Sequence, residues 1–301
     1  MEFDLRQLQA YVSVVDNAGF GAASRALHLS QAAVSERIAN LEQAVGIRLL
    51  DRSPRSIRTT SVGKRFYTLA RQLLEHREAM KLELSELAGV IRGTLNIGAS
   101  TIPGEYVLPP LLPRFCSDYP QIELNMRIHD SAEVMDHVHS GEVEVGIVGA
   151  RPVDKHFTVE QLWGDRLLLV VPAGHRLIGR KRVGVNEIAK YPFIIREQGS
   201  GTRKLVEAVF TNREIELPRV TATLGSTTAV KEAVIAGLGV TLISERAVRK
   251  ELAAGILAVI EVLGLQFDRN FLLITDRHRT QSPLCKRFIE YLRACYREAP
   301  G

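Results

Sequence analysis

Leu5, Leu8, Val12 and Val15 recur at the spacing of one helix face, predicting a helix that stops at Asn17-Ala18-Gly19. A short helix follows from about Gly21 to Leu27, where the small Ala22, Ala23 and Ala26 let two helices approach closely. His28-Leu29 reads as a tight connection, and Ser30 is placed to cap the next helix through its hydroxyl. Val34, Ile38, Leu41 and Val45 form the inner stripe of that helix, and Gly46 ends it. Ile47–Arg52 and Ser56–Thr59 then read as two short strands around a Ser53-Pro54-Arg55 turn. Thr60 caps a long helix from about Ser61 to Leu87, with Phe66, Leu69, Leu73, Met80, Leu84 and Leu87 along one seam. At ~1.5 Å per residue it is roughly 40 Å long. A lone striped helix of that length needs a partner, either its own following domain or a second copy.

From Gly93 onward short apolar strands alternate with amphipathic helices, predicting an α/β fold with mostly parallel sheets. Expected strands are Leu95–Ala99, Ile122–Ile128, Val143–Val148, Leu167–Val171, Phe193–Arg196, Val220–Leu224, Val240–Ile243 and Asn270–Ile274. Expected helices include Val107–Cys116, Ala132–His139, Arg203–Phe210, Thr228–Ala236 and Pro283–Tyr296, with Gly89 and Gly93 marking the hinge into this half.

Composition changes this picture little. The chain has 301 residues, ordinary hydrophobic content and a net charge of +5, so where the charge lies matters more than its sum. Between Gly46 and Arg65, Arg48, Arg52, Arg55, Arg58, Lys64 and Arg65 are opposed by Asp51 alone. No signal peptide is expected from MEFDLRQLQA, and no run of about 18 apolar residues occurs to cross a membrane. Cys116, Cys285 and Cys295 lack ligand spacing and read as free thiols of a reducing cytoplasm.

Helix, short helix, tight turn, helix is the order of a helix-turn-helix, whose last helix lies in the DNA major groove. Ser30 and Gln31 stand at its tip, and Ala32, Ser35 and Glu36 lie opposite the apolar stripe, with Arg37 beside them. Gln31 can pair bidentately with adenine, Ser35 can reach a base or phosphate, and Ala32 can touch a thymine methyl. A plain three-helix core with a polar outer face fits the same pattern. The two strands add a wing whose arginines Arg52, Arg55 and Arg58 suit phosphates or a narrow minor groove.

The run AASRALHLSQAAVSERIANLEQAVGIRLLDRSPRSIRTTSVGKRF resembles the DNA-binding domain of LysR-type transcriptional regulators, in its LSQ-x-AVS core, its LE-x-x-x-G-x-x-L-x-x-R entry to the wing and its T-x-x-G helix start. Gly19 stands where that family commonly has a serine cap. Glu36 occupies a position often basic or polar there; it either accepts from a cytosine amine or lowers nonspecific affinity. The resemblance implies a winged helix-turn-helix over residues 1–60, a dimerising linker helix over 61–90 and an effector-binding domain over 91–301. That domain would be two Rossmann-like subdomains similar to periplasmic binding proteins, one of 91–163 and 267–301, the other of 164–266. Promoter DNA, a homodimer or homotetramer and RNA polymerase are the implied partners, with a small anionic co-inducer and no other cofactor.

In the second half the candidate ligand residues follow strand ends. Ser100 and Thr101 can bind an oxyanion or simply cap a helix. Gly149 and Ala150 let a ligand approach the backbone. Gly199, Ser200, Gly201 and Thr202 read as an anion nest at a helix start, or as a structural turn with an incidental cap. Thr227, in Gly225-Ser226-Thr227-Thr228, opens another helix after a strand. The ST-x-PGEY and RE-x-GSGTR runs resemble those of sulfur-assimilation and carbon-fixation regulators, implying sulfur-containing or phosphorylated effectors. His137 and His139 point to different faces of their helix and read as a solvated surface. No catalytic pair or metal-ligand set emerges. An enzyme holding a phosphorylated substrate at GSGTR, and a solute-binding protein, are the other classes; each leaves the N-terminal pattern unexplained.

Overall fold

The computed structural model describes residues 2–53, 56–87, 91–180 and 182–298. The chain divides into two compact units, residues 1–89 and 90–301.

In the first unit α1 (Leu5–Asp16) opens on a reciprocal cap: Asp4 Oδ1 accepts from the Gln7 amide at 2.8 Å, and Gln7 Oε1 accepts from the Asp4 amide at 2.9 Å. It packs on both α3 (Gln31–Val45) and α4 (Ser61–Leu87). A helix wedged between two partners buries a broader arc than one stripe. The expected stripe is therefore corrected: Leu8, Ala10, Tyr11 and Val14 are buried, Val12 and Val15 only partly, and Leu5 is exposed. α2 (Phe20–Ala26) buries Ala23 and Ser24 but leaves Ala26 exposed. Ser30 Oγ accepts from the Ala33 amide at 3.1 Å, and Gly46, in the left-handed region at φ +75°, closes α3.

The wing is the antiparallel pair β1 (Leu50–Ser53) and β2 (Ser56–Thr59). Its first strand starts later than expected because Glu42 Oε1 accepts from the amides of Leu49 and Leu50, at 2.7 and 3.0 Å, and so holds that segment against α3. Pro54 and Arg55, the side chains of Arg52 and Leu87, and the expected hinge residue Gly89 lie outside the described residues. Thr60 Oγ1 accepts from the Gly63 amide at 2.9 Å, capping α4. Gly63 is required by close approach: a Cβ there would sit 2.1 Å from the Leu49 carbonyl oxygen.

The second unit begins with β3 (Gly93–Ser100), so Gly93 starts a strand and not a linker. A π-helical turn (Pro103–Val107) leads to α5 (Leu112–Asp118), β4 (Ile122–His129), α6 (Ser131–Ser140) and β5 (Val145–Val148). The expected helix over Val107–Cys116 is broken, because Pro109 and Pro110 lack amide donors and disfavour helical backbone before them. β6 (Phe157–Pro172) is far longer than the apolar run Leu167–Val171, since its first half interleaves Glu160, Gln161 and Asp165. There follow β7 (Arg182–Val183), α7 (Val185–Ile188), β8 (Phe193–Arg196), α8 (Gly201–Asn212), β9 (Val220–Leu224), α9 (Thr227–Ile235) and β10 (Thr241–Ser244). Then come α10 (Glu245–Ala253), β11 (Leu257–Val262), β12 (Asp268–Asp276) and α11 (Pro283–Glu298).

The expectation of mostly parallel sheets is corrected. β3 pairs in parallel with β4 and β5, β8 with β9, and β11 with β7. β12 runs antiparallel to β5 and β6, and β10 and β11 run antiparallel to β6. The antiparallel ladders arise because β6 serves two lobes. Its first half, to Arg166, pairs with β12; from Leu167 it pairs with β10 and β11. The chain returns beside it, where the Leu167 amide donates to the Phe267 carbonyl at 2.9 Å. One lobe thus carries β3–β5, β12, α5, α6 and α11, and the other β7–β11 with α7–α10.

Candidate nucleic-acid interface and binding cleft

In the first unit α3 buries Val34, Ile38 and Leu41. That register leaves Ser30, Gln31, Ala32 and Glu36 exposed, and Ser35 and Arg37 half-buried. Ser30 is a cap, with its oxygen committed to the Ala33 amide. Arg58 on β2 is exposed, as are Arg48, Lys64 and Arg65, so the described part of the basic cluster faces solvent. Glu42, which ties α3 to the wing strand, had no signal beyond its place in the LE pair.

In the second unit a cavity of about 10 Å³, room for about one water, opens between the lobes. Ser100 and Thr101 line it from the end of β3, Asp130 and Ser131 from the start of α6, and Arg196, Ser200, Gly201 and Thr202 from the other lobe. Arg269 of β12 completes it. Five of the nine residues expected at a ligand are thus brought together: Ser100, Thr101, Ser200, Gly201 and Thr202. Thr227 joins through Arg196, whose Nη1 donates to its hydroxyl. Gly149, Ala150 and Gly199 do not line this space; they stand where the lobes touch. A Cβ on Gly201 would lie 2.7 Å from the Gly149 carbonyl carbon and 2.9 Å from the Ala150 amide nitrogen. A Cβ on Gly199 would lie 1.9 Å from Asp130 Oδ2. The glycines of GSG are small because the lobes meet there.

Two arginines that sequence reasoning passed over dominate the cleft. Arg196 is only 6% exposed, and a guanidinium so buried needs a partner. Glu197 supplies a two-pronged one, accepting from Nε at 2.7 Å and Nη2 at 2.6 Å, while Nη2 also donates across the lobes to Thr101 Oγ1 at 3.2 Å. Arg269 donates through Nε to Asp165 Oδ2 at 2.9 Å, with Nη2 in ion-pair contact with the same oxygen at 2.8 Å, and lies 5.1 Å from the Phe271 ring centre. Its Nη1 has no hydrogen-bond partner among the described residues. Burial pushes the Arg269 guanidinium below its ordinary pKa and neighbouring Arg196 adds to that, with Asp165 opposing both. Arg196 carried a faint signal, an arginine ending the apolar strand Phe193–Arg196. His137 is half-buried beside His129, with ring centres 4.8 Å apart, and its Nδ1 has no partner; α6 turns it toward β4, away from the solvated face expected.

A winged helix-turn-helix, a long helix and a two-lobed α/β unit closed over a polar cleft define a transcription regulator governed by a small molecule. Residues 5–64 match the model of the bacterial regulatory helix-turn-helix protein, lysR family, and residues 88–296 match the LysR substrate binding domain. The chain belongs to the LysR family. It is 30% identical over 289 residues to the HTH-type transcriptional regulator CysL of Bacillus subtilis, covering 96% of each chain. To the RuBisCO operon transcriptional regulator of Acidithiobacillus ferrooxidans it is 30% identical, covering 96% of this chain and 93% of that one. Full-length OxyR of Pseudomonas aeruginosa shares the fold with a TM-score of 0.75 at 23% identity, over 99% of this chain and 96% of that one. The CcmR regulatory domain of Synechocystis, solved with 2-PG, matches at a TM-score of 0.65 and 25% identity, over 70% of this chain and all of that one.

Proposed function

We propose that this regulator reads promoter DNA with α3 and the wing, and that a small oxyanion held between its lobes sets the output. Gln31, Ala32, Ser35 and Glu36 meet base edges, Ser30 and Arg37 support them, and Arg52, Arg55 and Arg58 take phosphates. The anion lies among Ser100, Thr101, Ser200 and Thr202 against Arg269 and the first turn of α8. The observation that carries this reading is Arg269: a guanidinium on a side chain 7% exposed, with Nη1 unpaired among the described residues, at a cavity ringed by hydroxyls. Arg196 organises the site more than it binds, since Glu197 already takes two of its donors. The effector falls in sulfur or related oxyanion metabolism, a reading that rests on the ST-x-PGEY and RE-x-GSGTR runs.

The protein acts by binding and not by catalysis: the cleft's hydroxyls adjoin arginines and Asp130, whose Oδ1 is spent capping α6. Its place of action is the cytoplasm, alongside DNA; no helix among the described residues is long and apolar enough to cross a membrane. A homodimer or tetramer forms through α4, where Leu69, Leu73, Met80 and Leu84 are each about half exposed or more.

A thermal-shift series with sulfate, thiosulfate, phosphate and phosphoenolpyruvate tests the cleft, because a ligand selecting the folded state raises Tm. The double variant Ser200→Ala, Thr202→Ala is expected to lose the shift while keeping a salt-dependent mobility shift on promoter DNA. An undiminished thermal shift in that variant removes the loop from the site.

A further inference from the structure

The second unit also holds a cavity far larger than the cleft. Where β6 passes between the lobes, a cavity of about 570 Å³ opens on the flank of the second unit. One wall is aromatic. Trp163 is 7% exposed, and its ring meets that of Tyr296 edge-on at 6.5 Å. The other wall is charged, with Arg166, Arg246, Arg249 and Arg269 set among Asp165, Glu245 and Asp268.

Exposed arginines are commonly just solvated, so their pairing decides the matter. Arg166 lies 3.7 Å from Asp268, Arg246 lies 3.9 Å from Asp165, and Arg249 lies 3.8 Å from Glu245. These separations exceed hydrogen-bond reach. In the same lobe as Trp163, Arg293 grips Glu160 with two nitrogens at 2.7 to 3.0 Å, so the long pairs are local to the cavity. Arg246 is held in place by donating Nη2 to the Gly164 carbonyl at 2.9 Å, which leaves Nη1 available. The nearby carboxylate Asp165 is fully buried and committed, accepting from Ser244 at 2.6 Å and from Arg269.

We infer that this cavity is a second ligand site, taking a small carboxylate with an aromatic or compact apolar body. The body lies against Trp163 and Tyr296, and the carboxylate meets Arg246 and Arg249. A volume of this size is in the range of small-molecule sites and exceeds what a bare inorganic oxyanion fills. The site shares Arg269 with the cleft, but the arginines assigned to the carboxylate, Arg246 and Arg249, belong to this cavity alone.

Trp163 is the chain's single tryptophan, so its emission reports on this cavity directly. Full-length protein titrated with phenylacetate is expected to show a saturable change in tryptophan emission, matched by calorimetric binding. Acetate, which lacks the ring, and benzyl alcohol, which lacks the charge, are expected to bind about tenfold more weakly or worse. Arg249→Gln, at an exposed residue, and the double variant Arg246→Gln, Arg249→Gln are expected to weaken phenylacetate by about tenfold or more. Arg249→Gln leaves promoter binding unchanged. An absent or non-saturable response in the parent, or parental affinity in the double variant, overturns the inference.

Discussion

Gly201→Ala tests whether the cleft must close to hold its ligand. The new methyl carbon would sit 2.7 Å from the Gly149 carbonyl carbon and 2.9 Å from the Gly149 oxygen and the Ala150 nitrogen. All three are backbone atoms at the end of β5, on the opposite lobe, and none can swing aside as a side-chain tip does. The lobes must therefore part by a few tenths of an ångström. Overpacking of this kind costs about 1–3 kcal/mol, and the helix-propensity gain of alanine at the start of α8 is common to the open and closed forms, so it does not offset that cost. The penalty, about 1–3 kcal/mol, falls on the closed form alone. A ligand that needs closure then binds about 5- to 150-fold more weakly. Calorimetric titration with the anion that stabilises the parent protein measures this, with promoter binding as the control for an intact first unit. Gly199→Ala provides the contrast: its clash is with the Asp130 carboxylate, a side-chain end that can rotate, and a smaller loss is expected. Parental affinity in Gly201→Ala would refute the argument that lobe closure and binding are coupled.

Four further variants have outcomes set by the geometry. Gly63→Ala drives a methyl to 2.1 Å from the Leu49 carbonyl oxygen and 2.9 Å from the Tyr11 hydroxyl, so the first unit should lose about 3 kcal/mol; calorimetry should show one transition lowered, with the anion-stabilised one unmoved. Gln31→Ala should relax discrimination at one base by about 1–3 kcal/mol, whereas Arg58→Ala should weaken all sequences alike and reduce the salt slope by about 1, both read by mobility shift across a salt series. Burial raises the pKa of Glu251, but the hydrogen bond and charge of Lys231 outweigh it and hold the carboxyl below its usual 4.5. A carboxylate depressed on folding stabilises the protein above its unfolded pKa and loses that contribution as pH falls through the folded value. Glu251→Gln should therefore flatten the fall of Tm below about pH 4.5, and an unchanged acid limb would count against the pairing.

Much of the chain was legible from local rules. Ser30 and Thr60 cap their helices, Gly46 ends α3, and Val34, Ile38 and Leu41 face inward, because caps and periodicity are contests between neighbours in sequence. The nest residues Ser200, Gly201 and Thr202 also announced themselves by composition. The break in the expected Val107–Cys116 helix is local, made by Pro109 and Pro110, whereas other failures come from contacts distant in the chain. The first half of β6 reads as polar because its burial comes from β12, a hundred residues away in the chain. The true stripe of α1 depends on α3 and α4 holding it from two sides.

By itself the sequence determined that a helix-turn-helix, a wing, a long helix and an α/β unit would form, and that polar groups would gather at strand ends. Only the tertiary structure decided what those groups do. Arg196 reaches Thr101 and Thr227, Arg269 reaches Asp165, and Gly201 stands against Gly149, pairs separated by about 30 to 100 residues. Local patterning says where a guanidinium begins; burial and the partners that crossing strands bring to it decide which of its donors are spent and which remain for a ligand.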